Sequence, residues 1–334
     1  MIPRKPRLAD VAALAGVSMA TASKALNGRD EVAAGTRARV HEAAAQLSFE
    51  GNSIARSLST GRMGAVGLLT SDLEGRFSLP ILMGAEDAFG AEETAILLSD
   101  ARGDRVREKR HIRALIPRVD ALLVVGSRTD ARRSLGDLPM PVVYVYTPSD
   151  DPADCSLTPD NVDGGRLAAR HLLMTGRRRL LHITGPPADA AATDRAQGID
   201  EVLATGSSGA RLSLRTEYGE WTERWGRSAT QFALRDGIDF DAILCDSDQI
   251  ARGALDALLV AGRRVPEDVA LIGYDNWELI VADTSPPISS IDMNLEAMGQ
   301  RAAQLLTAAI AGVDLPAGPQ LMPCRVVARG STLS

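Results

Sequence analysis

Apolar residues recur at helical spacing in the first part of the chain. Within Leu8–Ala15 they fall at positions i, i+3, i+4 and i+7, which places them on one face of a helix. Gly16 follows at once, and glycine is the usual residue where a helix ends in a left-handed conformation. Ser18 then predicts the N-cap of a second helix, because its hydroxyl can accept from a free N–H of the first turn. Two short helices joined by a glycine-containing turn predict a helix-turn-helix.

The second helix has an apolar face and a polar face. Ala22, Ala25 and Leu26 face inward, whereas the opposite face combines small residues with hydrogen-bond donors. A helix that enters a major groove needs small residues where the backbones approach, and donors that reach bases and phosphates. A third apolar stripe within Val40–Leu47 completes an all-α domain over residues 1–50. From this domain we predict DNA contacts by Ser18, Met19, Ala20, Thr21, Ser23, Lys24 and Asn27.

Charge favours DNA binding over the alternative, a plain three-helix bundle whose polar face meets only water. Residues 1–62 contain nine basic and five acidic residues, a net charge of +4, in a chain whose total is −6. The remaining residues therefore carry −10. A basic first segment on an acidic remainder is the distribution that phosphate binding at one end of the chain requires.

The motifs of this segment resemble those of the lactose-repressor (LacI/GalR) family. The resemblance rests on Asp10-Val11-Ala12, Ala15-Gly16-Val17-Ser18, Thr21-Ala22-Ser23-Lys24-Ala25-Leu26-Asn27, Thr36-Arg37 and Val40, and on Asn52, Ala55 and Leu58. The chain departs from the family where Lys24 replaces an arginine, whose flat guanidinium binds bidentately. Arg7 and Ala33 replace helix-capping residues, and each lost cap costs on the order of 1 kcal/mol.

Residues 51–62 predict a hinge helix and linker. Asn52 is a capping residue type, and Ile54, Ala55 and Leu58 form an apolar stripe too short for a stable isolated helix. We therefore predict that the hinge becomes helical on DNA, with contacts from Asn52, Ala55 and Leu58. The resemblance implies that paired hinge helices enter the minor groove and that Leu58 wedges between base pairs. The alternative is an ordinary linker in which Leu58 docks on the rest of the protein.

After Arg62 short apolar runs alternate with amphipathic segments. The runs predict strands at Ala65–Thr70, Ala95–Leu98, Asp120–Val125, Pro141–Tyr146, Leu180–Thr184, Leu212–Tyr218, Asp241–Cys245, Val269–Gly273 and Cys324–Val327. The amphipathic segments predict helices at Ile81–Phe89, Arg105–Leu115, Asn161–Met174, Arg195–Leu203, Thr222–Leu234, Asp248–Val260 and Leu295–Ala311. This alternation predicts an α/β fold of doubly wound parallel sheets.

The length of this second part predicts two lobes. Its 272 residues exceed what one α/β core usually holds. The order of elements again resembles the LacI/GalR family, whose core is similar to periplasmic sugar-binding proteins and crosses between lobes three times. The resemblance implies one lobe from residues 63–160 plus about 291–318, and a second from residues 161–290 plus about 319–334.

Polar residues follow several of the predicted strands, and ligands of doubly wound sheets bind at the carboxyl ends of strands. Carboxylates accept from sugar hydroxyls, a guanidinium donates to them, and an indole covers the apolar face of a pyranose. By strand position and by resemblance, we predict ligand binding by Ser71, Asp72, Phe77, Asp163, Arg195, Trp221, Ser247 and Asp275, with Trp277 as a further wall. Asp163 and Ser247 are alternatively helix-start residues, and Trp221 is alternatively a core residue. Met293, where several family members have a polar residue, disfavours a simple hexose.

Composition limits the compartment and the chemistry. The three cysteines, Cys155, Cys245 and Cys324, lack metal-binding spacing and predict buried thiols in a reducing compartment. The first residues lack the apolar segment of a signal peptide, and no apolar run reaches the ~18 residues of a membrane span. We therefore predict a cytoplasmic protein without a membrane partner.

The resemblance implies a homodimeric transcription regulator, a repressor, that binds pseudo-palindromic operator DNA under the control of a small-molecule effector, a sugar or sugar derivative. A dimer with two-fold symmetry carries two DNA-binding domains and therefore requires a pseudo-palindromic operator. One alternative is an enzyme with an accessory DNA-binding domain, but dinucleotide, P-loop, nucleophile-elbow and zinc-protease motifs are missing from the sequence. We predict no catalytic residue, metal or cofactor. A transporter's solute-binding protein is a second alternative, which the basic first segment disfavours.

Overall fold

A computed structural model describes residues 6–26, 31–47, 49, 62–71, 76–91, 93–205 and 212–333. These residues divide between two units, one from Met1–Ala65 with Arg118–Asp120 and the other from Val66–Pro117 with Ala121–Ser334. The predicted contacts Asn27, Asn52, Ala55, Leu58 and Asp72 lie outside the described residues, as does the predicted hinge helix. They stay predictions.

The first unit contains helices α1 (Leu8–Ala15), α2 (Met19–Leu26) and α3 (Ala34–Gln46). Gly16 has φ +67° and ends α1, with the N–H of Gly16 donating to Ala13 at 3.3 Å and that of Val17 to Ala12 at 3.0 Å. This pair of bonds is a Schellman motif, which satisfies the last carbonyls of the helix. Ser18 Oγ accepts from the N–H of Thr21 at 3.1 Å and caps α2. The predicted turn between the two helices is therefore confirmed.

Asp10 compensates in part for the missing cap at the start of α1. Its carboxylate accepts from the backbone N–H of Arg7 at 2.7 Å. This is the return half of a capping box, in which the third helical residue reaches back to the residue before the helix. The Arg7 side chain cannot accept from a backbone N–H of the first turn, because a guanidinium only donates, although the backbone oxygen of Arg7 accepts from the N–H of Asp10 at 2.9 Å. One of the two bonds of a full capping box thus remains.

Small side chains fill the core between these three helices. Val11, Ala22, Ala25 and Val40 are fully buried. Alanine in the core of α2 lets the three helices approach closely, and the other face of α2 remains accessible, since Met19 is 58% exposed. The division into an inward face and an outward face follows the spacing of the sequence.

The second unit contains two six-stranded sheets. The first sheet has the strand order β11-β5-β4-β3-β1-β2, with β1 (Ala65–Thr70), β2 (Ala95–Asp100), β3 (Ala121–Val125), β4 (Val142–Val145), β5 (Cys155–Pro159) and β11 (Gly318–Met322). The second has the order β12-β10-β9-β8-β6-β7, with β6 (Arg179–Thr184), β7 (Ser213–Tyr218), β8 (Ala242–Cys245), β9 (Ala270–Tyr274), β10 (Ser289–Asp292) and β12 (Arg325–Val327). The β1–β3–β4–β5–β11 and β7–β6–β8–β9–β10 neighbours pair in parallel, whereas β12 pairs antiparallel with β10.

Helices alternate with these strands along the chain. They are α4 (Ser78–Gly90), α5 (Arg105–Leu115), α6 (Asn161–Met174), α7 (Ala190–Thr205), α8 (Glu223–Arg235), α9 (Asp248–Val260), α10 (Glu278–Val281) and α11 (Leu295–Ile310), with a short 3₁₀ helix at Ile116–Arg118. The predicted doubly wound α/β class is confirmed.

The second sheet is buried on both faces. Along β6, Leu180 belongs to one apolar cluster and Leu181 to another, and Leu244 and Cys245 of β8 alternate in the same way. Successive strand residues point to opposite faces, so each face has its own core. Near-continuous apolar runs are expected of parallel strands covered on both sides.

The chain passes between the sheets at three places. The chain leaves the first sheet after β5, which ends at Pro159. It returns to the side of the first sheet with α11, which begins at Leu295, and joins the second sheet again at β12, which begins at Arg325. One apolar cluster includes Tyr146 of the first sheet's side and Met293 from the second crossing, and it continues into the second sheet. The finer division into lobes with borders near 160, 290 and 318 stays a prediction.

Reciprocal glycines bring three helix pairs close together. A Cβ on Gly165 of α6 would lie 2.2 Å from the carbonyl oxygen of Arg195, and one on Gly198 of α7 would lie 1.9 Å from that of Val162. The α4/α11 pair has the same arrangement at Gly84 and Gly299, and the α8/α9 pair at Gly226 and Gly253. A side chain at these positions would separate the two backbones.

The three cysteines are free and buried, as predicted. Burial raises the pKa of Cys155 and of Cys324 to about 11 and raises that of Cys245 as well. Because the thiolate is the reactive form, only about one thiol in a thousand is ionised at pH 8. We expect a thiol reagent to modify none of the three within minutes at pH 8 in native protein and all three in urea. Rapid native modification, followed by absorbance and located by mass spectrometry, would contradict this.

No helix in the part of the chain that the structure describes is long and apolar enough to span a membrane.

Candidate functional site

A cavity of about 350 Å³ lies between the carboxyl ends of the two sheets. Its lining combines aromatic rings, three guanidinium groups and two carboxylates. This size and mixture fall within the range of small-molecule sites. The position agrees with the general rule for doubly wound sheets.

Arg195 of α7 lies at the base of the cavity with its guanidinium fully buried. Nε donates to Asn161 Oδ1 at 3.0 Å, and Nη1 donates to the backbone oxygen of Asp246. The guanidinium carbon lies 3.5 Å from the centroid of the Tyr274 ring, so the cation also stacks on an aromatic face. Nη2 contacts the weak acceptor Met293 Sδ at 4.0 Å, and the Arg195 side chain also interacts with the Tyr146 hydroxyl. Arg195 is therefore held rigidly at the cavity.

The charge of Arg195 is maintained by its surroundings. Burial acts to lower its pKa, but Tyr274, Asp246 and Asp275 outweigh burial, so the net pKa lies above the usual value of arginine. Behind Arg195, His182 Nε2 lies 2.9 Å from Asp246 Oδ2, and both side chains are fully buried. The cation thus sits in front of a buried polar layer.

Trp221 forms one wall of the cavity. Its Nε1 donates to Asp189 Oδ2 at 2.7 Å, which fixes the orientation of the indole. A Cβ on Gly185 would lie 2.1 Å from the ring, so the strand end passes directly beneath the indole. The Arg195 guanidinium carbon lies 5.8 Å from the ring centroid. An aromatic plane beside a cation is suited to a ligand with one apolar face and several polar groups.

Phe77 and Tyr146 form an opposite wall. Their rings stack with centroids 4.2 Å apart and an interplanar angle of 20°. The Arg76 guanidinium lies over Phe77 at 4.7 Å and over Trp277 at 6.0 Å. The cavity is therefore bounded by aromatic rings from both sheets' sides.

Charged side chains join the two sides across the cavity. Arg76 Nη1 donates to Gln249 Oε1 at 2.9 Å, and its Nη2 lies 3.1 Å from Asp275 Oδ2. A second connection joins the loop after β3 to the start of α7. There Arg128 pairs with Asp189, and Asp130 Oδ1 accepts from the N–H of Ala190 at 3.0 Å. These contacts join the two sides of the cavity.

Two buried carboxylates lie next to Arg76. Burial raises the pKa of Asp248 well above its usual value, and the nearby Asp275 raises it further. Burial also raises the pKa of Asp275, against the lowering effects of Arg76 and Arg195. Asp248 accepts from the hydroxyl of Ser290 at 2.7 Å and from the N–H of Trp277 at 2.6 Å. Asp248 therefore orients the Trp277 backbone at the cavity wall.

The first unit presents a separate polar surface on α2. Met19, Ala20 and Lys24 are exposed there, whereas Thr21 and Ser23 are half-buried. Ser18 Oγ lies 2.9 Å from Thr21 Oγ1, so both hydroxyls are held at the start of the helix.

Comparison with known proteins identifies both parts of the chain. Residues 7–52 match the model of bacterial regulatory proteins of the lacI family, and residues 169–332 match a periplasmic binding protein-like domain. The chain is 33% identical over 333 residues to the HTH-type transcriptional regulator CelR of Thermobifida fusca, covering 97% of this chain and 96% of that protein. This chain belongs to the LacI family. The HTH-type transcriptional repressor PurR of Aliivibrio fischeri MJ11 is 30% identical, with 97% and 98% covered.

Solved LacI-family structures share the whole fold. A lac repressor dimer bound to operator and the anti-inducer ONPF matches with TM-score 0.77 and 26% identity, covering 99% of this chain and 100% of that chain. A CelR–cellobiose complex matches with TM-score 0.67 and 29% identity, covering 98% and 99%. The relatives are transcriptional regulators, and this LacI-family chain is a DNA-binding transcriptional regulator with a helix-turn-helix domain.

The structure brings three of the predicted ligand residues to the cavity. Phe77, Arg195 and Trp221 line it, together with Trp277. Asp275 is buried behind Arg76, to which it is paired, and does not itself line the cavity.

The other described candidates lie elsewhere. Ser247 is fully buried, and its Oγ accepts from the N–H of Ile250 at 3.2 Å, so it caps α9. Asp163 lies in the first turn of α6, 3.8 Å from Arg166, and Ser71 follows β1; neither is among the cavity-lining residues. The helix-start alternative describes the position of Ser247, and the ligand role of each residue stays a prediction.

Several lining residues were not predicted. They are Arg76, Ser127, Arg128, Thr129, Asp130, Tyr146, Asp189, Ala191 and Gln249. The rule of strand ends applied equally to Ser127–Asp130, which follow β3, and to Tyr146, which follows β4. The sequence therefore contained a signal for these residues. Asp189 also follows a strand, β6, but its contact with Trp221 joins residues 32 positions apart and could not be predicted locally.

Proposed function

We propose that this LacI-family regulator is a homodimeric repressor whose affinity for an inverted-repeat operator is controlled by a sugar in the cavity between the sheets. The observation that carries the proposal is the buried Arg195 guanidinium beside the Trp221 ring. The amino group Nη2 can donate to a hydroxyl oxygen, while the indole covers the C–H face of the same ring. A rigid donor next to an aromatic plane is a preorganised carbohydrate site.

Cellobiose is the first effector to test. It is named in the complex of CelR, and the cavity here has aromatic walls on both sides. Trp221 and the Phe77–Tyr146 stack would each cover one face of a ligand with more than one ring. Arg195 and Asp189 would bind hydroxyl groups at the edge of the Trp221 ring.

Control of DNA binding would pass through the contacts that join the sheets. A sugar that competes for Asp189 or for Arg76 changes the Arg128–Asp189 or the Arg76–Asp275 pair and so changes how the two sides close. A ligand shifts an equilibrium only by binding two conformations with different affinity. In the first unit, Ser18 to Lys24 would contact the major groove, and the predicted hinge residues Asn52, Ala55 and Leu58 the minor groove.

We also propose that the regulator acts in the cytoplasm without catalysis or a cofactor. The residues of the cavity bind and orient, and the described part of the chain has no cluster of metal-binding side chains. Turnover of a bound sugar would contradict this.

Operator binding and its control can be tested together. Fluorescence anisotropy with inverted-repeat and random duplexes of equal length should show salt-sensitive preference for one repeat. Adding a sugar that the protein binds should change the affinity for the preferred inverted repeat by at least about fivefold. A thermal-shift screen finds the sugar, since a ligand at 100-fold its Kd adds about 2.7 kcal/mol to the free energy of unfolding. Equal binding to every duplex would overturn the DNA part; a stabilising sugar without effect on DNA would overturn the control.

A further inference from the structure

Lys24, the one basic residue of α2, already has an anionic partner within its own domain. Its Nζ pairs with the carboxylate of Glu31, in the turn that precedes α3. The side chain of Lys24 is 46% exposed and that of Glu31 is 64% exposed, so the pair lies at the surface. Lys24 is also the residue of α2 that is best suited to contact a phosphate or a base edge. The cation proposed for DNA and the acid that neutralises it are therefore side by side.

An acidic side chain at this place changes the electrostatics of DNA binding. Affinity for a duplex of any sequence comes from cations that replace the counterions of phosphates. A lysine that remains paired with Glu31 releases no counterion and adds nothing to this affinity. If Lys24 moves to the DNA, it no longer offsets the negative charge of Glu31 near the phosphates, which is unfavourable.

The same pair is easily exchanged for a better partner. An exposed lysine–carboxylate pair contributes little to stability, because water screens it and two flexible side chains are ordered. A base edge or phosphate at fixed geometry within an operator can therefore replace Glu31. On random DNA, α2 is not held in one register along the duplex. No single base edge or phosphate therefore stays within reach of Lys24.

We propose that Glu31 is a specificity-determining residue that withholds Lys24 from random DNA and releases it to the operator. This inference rests on the proposed contact of α2 with DNA. Glu31 lowers affinity for every duplex, but it lowers affinity for random DNA more. The acid thus increases the ratio of operator binding to random binding, which is the quantity that selects one site among many.

The test compares Glu31→Gln with the wild-type dimer on the operator duplex and a random duplex of equal length, between 50 and 200 mM salt. In the variant, affinity for random DNA should rise by about threefold to fivefold, the range that a single exposed ion pair allows. The slope of log affinity against log salt on random DNA should steepen by about 0.9, the contribution of one additional phosphate contact. Affinity for the operator should rise less, so that the ratio of the two falls.

Two further variants make the result decisive. Glu42→Gln removes the same charge from an exposed position on α3 and should change both affinities less than Glu31→Gln does. In a Lys24→Ala background, Glu31→Gln should raise both affinities by the same factor and leave their ratio unchanged, because the carboxylate still repels the phosphates but has no lysine to withhold. A change in the ratio that persists in that background, or an equal gain on both duplexes in the protein that retains Lys24, would overturn the proposal. A wild-type protein that prefers no duplex would instead overturn the proposed function.

Discussion

Arg195→Ala is expected to weaken binding of the effector sugar by at least about 30-fold, because truncating one partner of a buried charged contact costs about 2–5 kcal/mol. The variant loses the donor at the base of the cavity and the cation beside Trp221. Titration of the tryptophan fluorescence with the sugar measures the change, since Trp221 and Trp277 line the cavity. Operator affinity without sugar should stay within about threefold of wild type, because the DNA-binding residues are in another unit.

The same substitution also lowers stability. The backbone oxygen of Asp246 loses the Nη1 donor and remains buried, whereas Asn161 Oδ1 loses the Nε donor but keeps the Tyr274 hydroxyl at 3.2 Å. Leaving one buried oxygen without a donor costs about 1–3 kcal/mol. Arg195→Lys retains the charge but not the fork, and should recover part of the stability and less of the sugar affinity. Arg215→Ala is the matched control, because Arg215 on β7 is half exposed and pairs with Glu217, two residues further along the strand. Sugar binding by Arg195→Ala within threefold of wild type would contradict the proposed site.

The sequence predicted those elements whose ends are marked by local chemistry. The helices Asn161–Met174 and Asp248–Val260 have the predicted bounds, since Asp160 and Ser247 cap them. The helix predicted from Arg195 instead begins at Ala190, and the one predicted from Ile81 begins at Ser78. In both cases the first turn lacks an apolar stripe of its own, so periodicity recognised only the later turns.

Three strands had no signal of their own. Cys155–Pro159, Ser289–Asp292 and Gly318–Met322 contain serine, proline or glycine, which are uncommon in strands. They exist because neighbouring strands offer a full set of backbone partners: β11 pairs with β5 over five residues, and β10 lies between β9 and β12. The paired residues are distant along the chain, with Gly318 opposite Cys155 and Ser290 opposite Val327. Local sequence patterns carry no information about such pairing.

The candidate site was likewise predicted in part from local sequence, and the rest depends on distant contacts. Arg195 and Trp221 were predicted from strand ends and family resemblance, and both line the cavity. Asp275 has the same support, yet Arg76 occupies its carboxylate from the other sheet's side. Whether a carboxylate such as that of Asp275 faces a ligand depends on the side chains that distant parts of the chain bring next to it. Sequence therefore predicted the edge of the sheet at which the site lies, and the fold determined which side chains remain open to it.

Gly165→Ala is expected to reduce both stability and sugar affinity, because α6 and α7 are in backbone contact at Arg195, the residue that we propose binds the sugar. The added Cβ would lie 2.2 Å from the carbonyl oxygen of Arg195, so the helices must separate by about 1 Å or more. Overpacking of this kind costs about 1–3 kcal/mol in the free energy of unfolding. A displacement of Arg195 by that distance should weaken sugar binding by about tenfold or more, since the donor and the Trp221 ring no longer match one ligand.

Gly84→Ala separates the two effects. Its Cβ would lie 1.9 Å from the carbonyl oxygen of Glu296, where α4 meets α11, so the expected loss of stability is similar. Neither Gly84 nor Glu296 lines the cavity, and sugar affinity should change by less than about threefold. Urea unfolding gives the first quantity and fluorescence titration of the folded protein gives the second. If Gly165→Ala has the same free energy of unfolding as the wild type, α6 and α7 are not in close contact at Gly165. If both variants lose sugar affinity equally, the loss comes from general destabilisation and not from the position of Arg195.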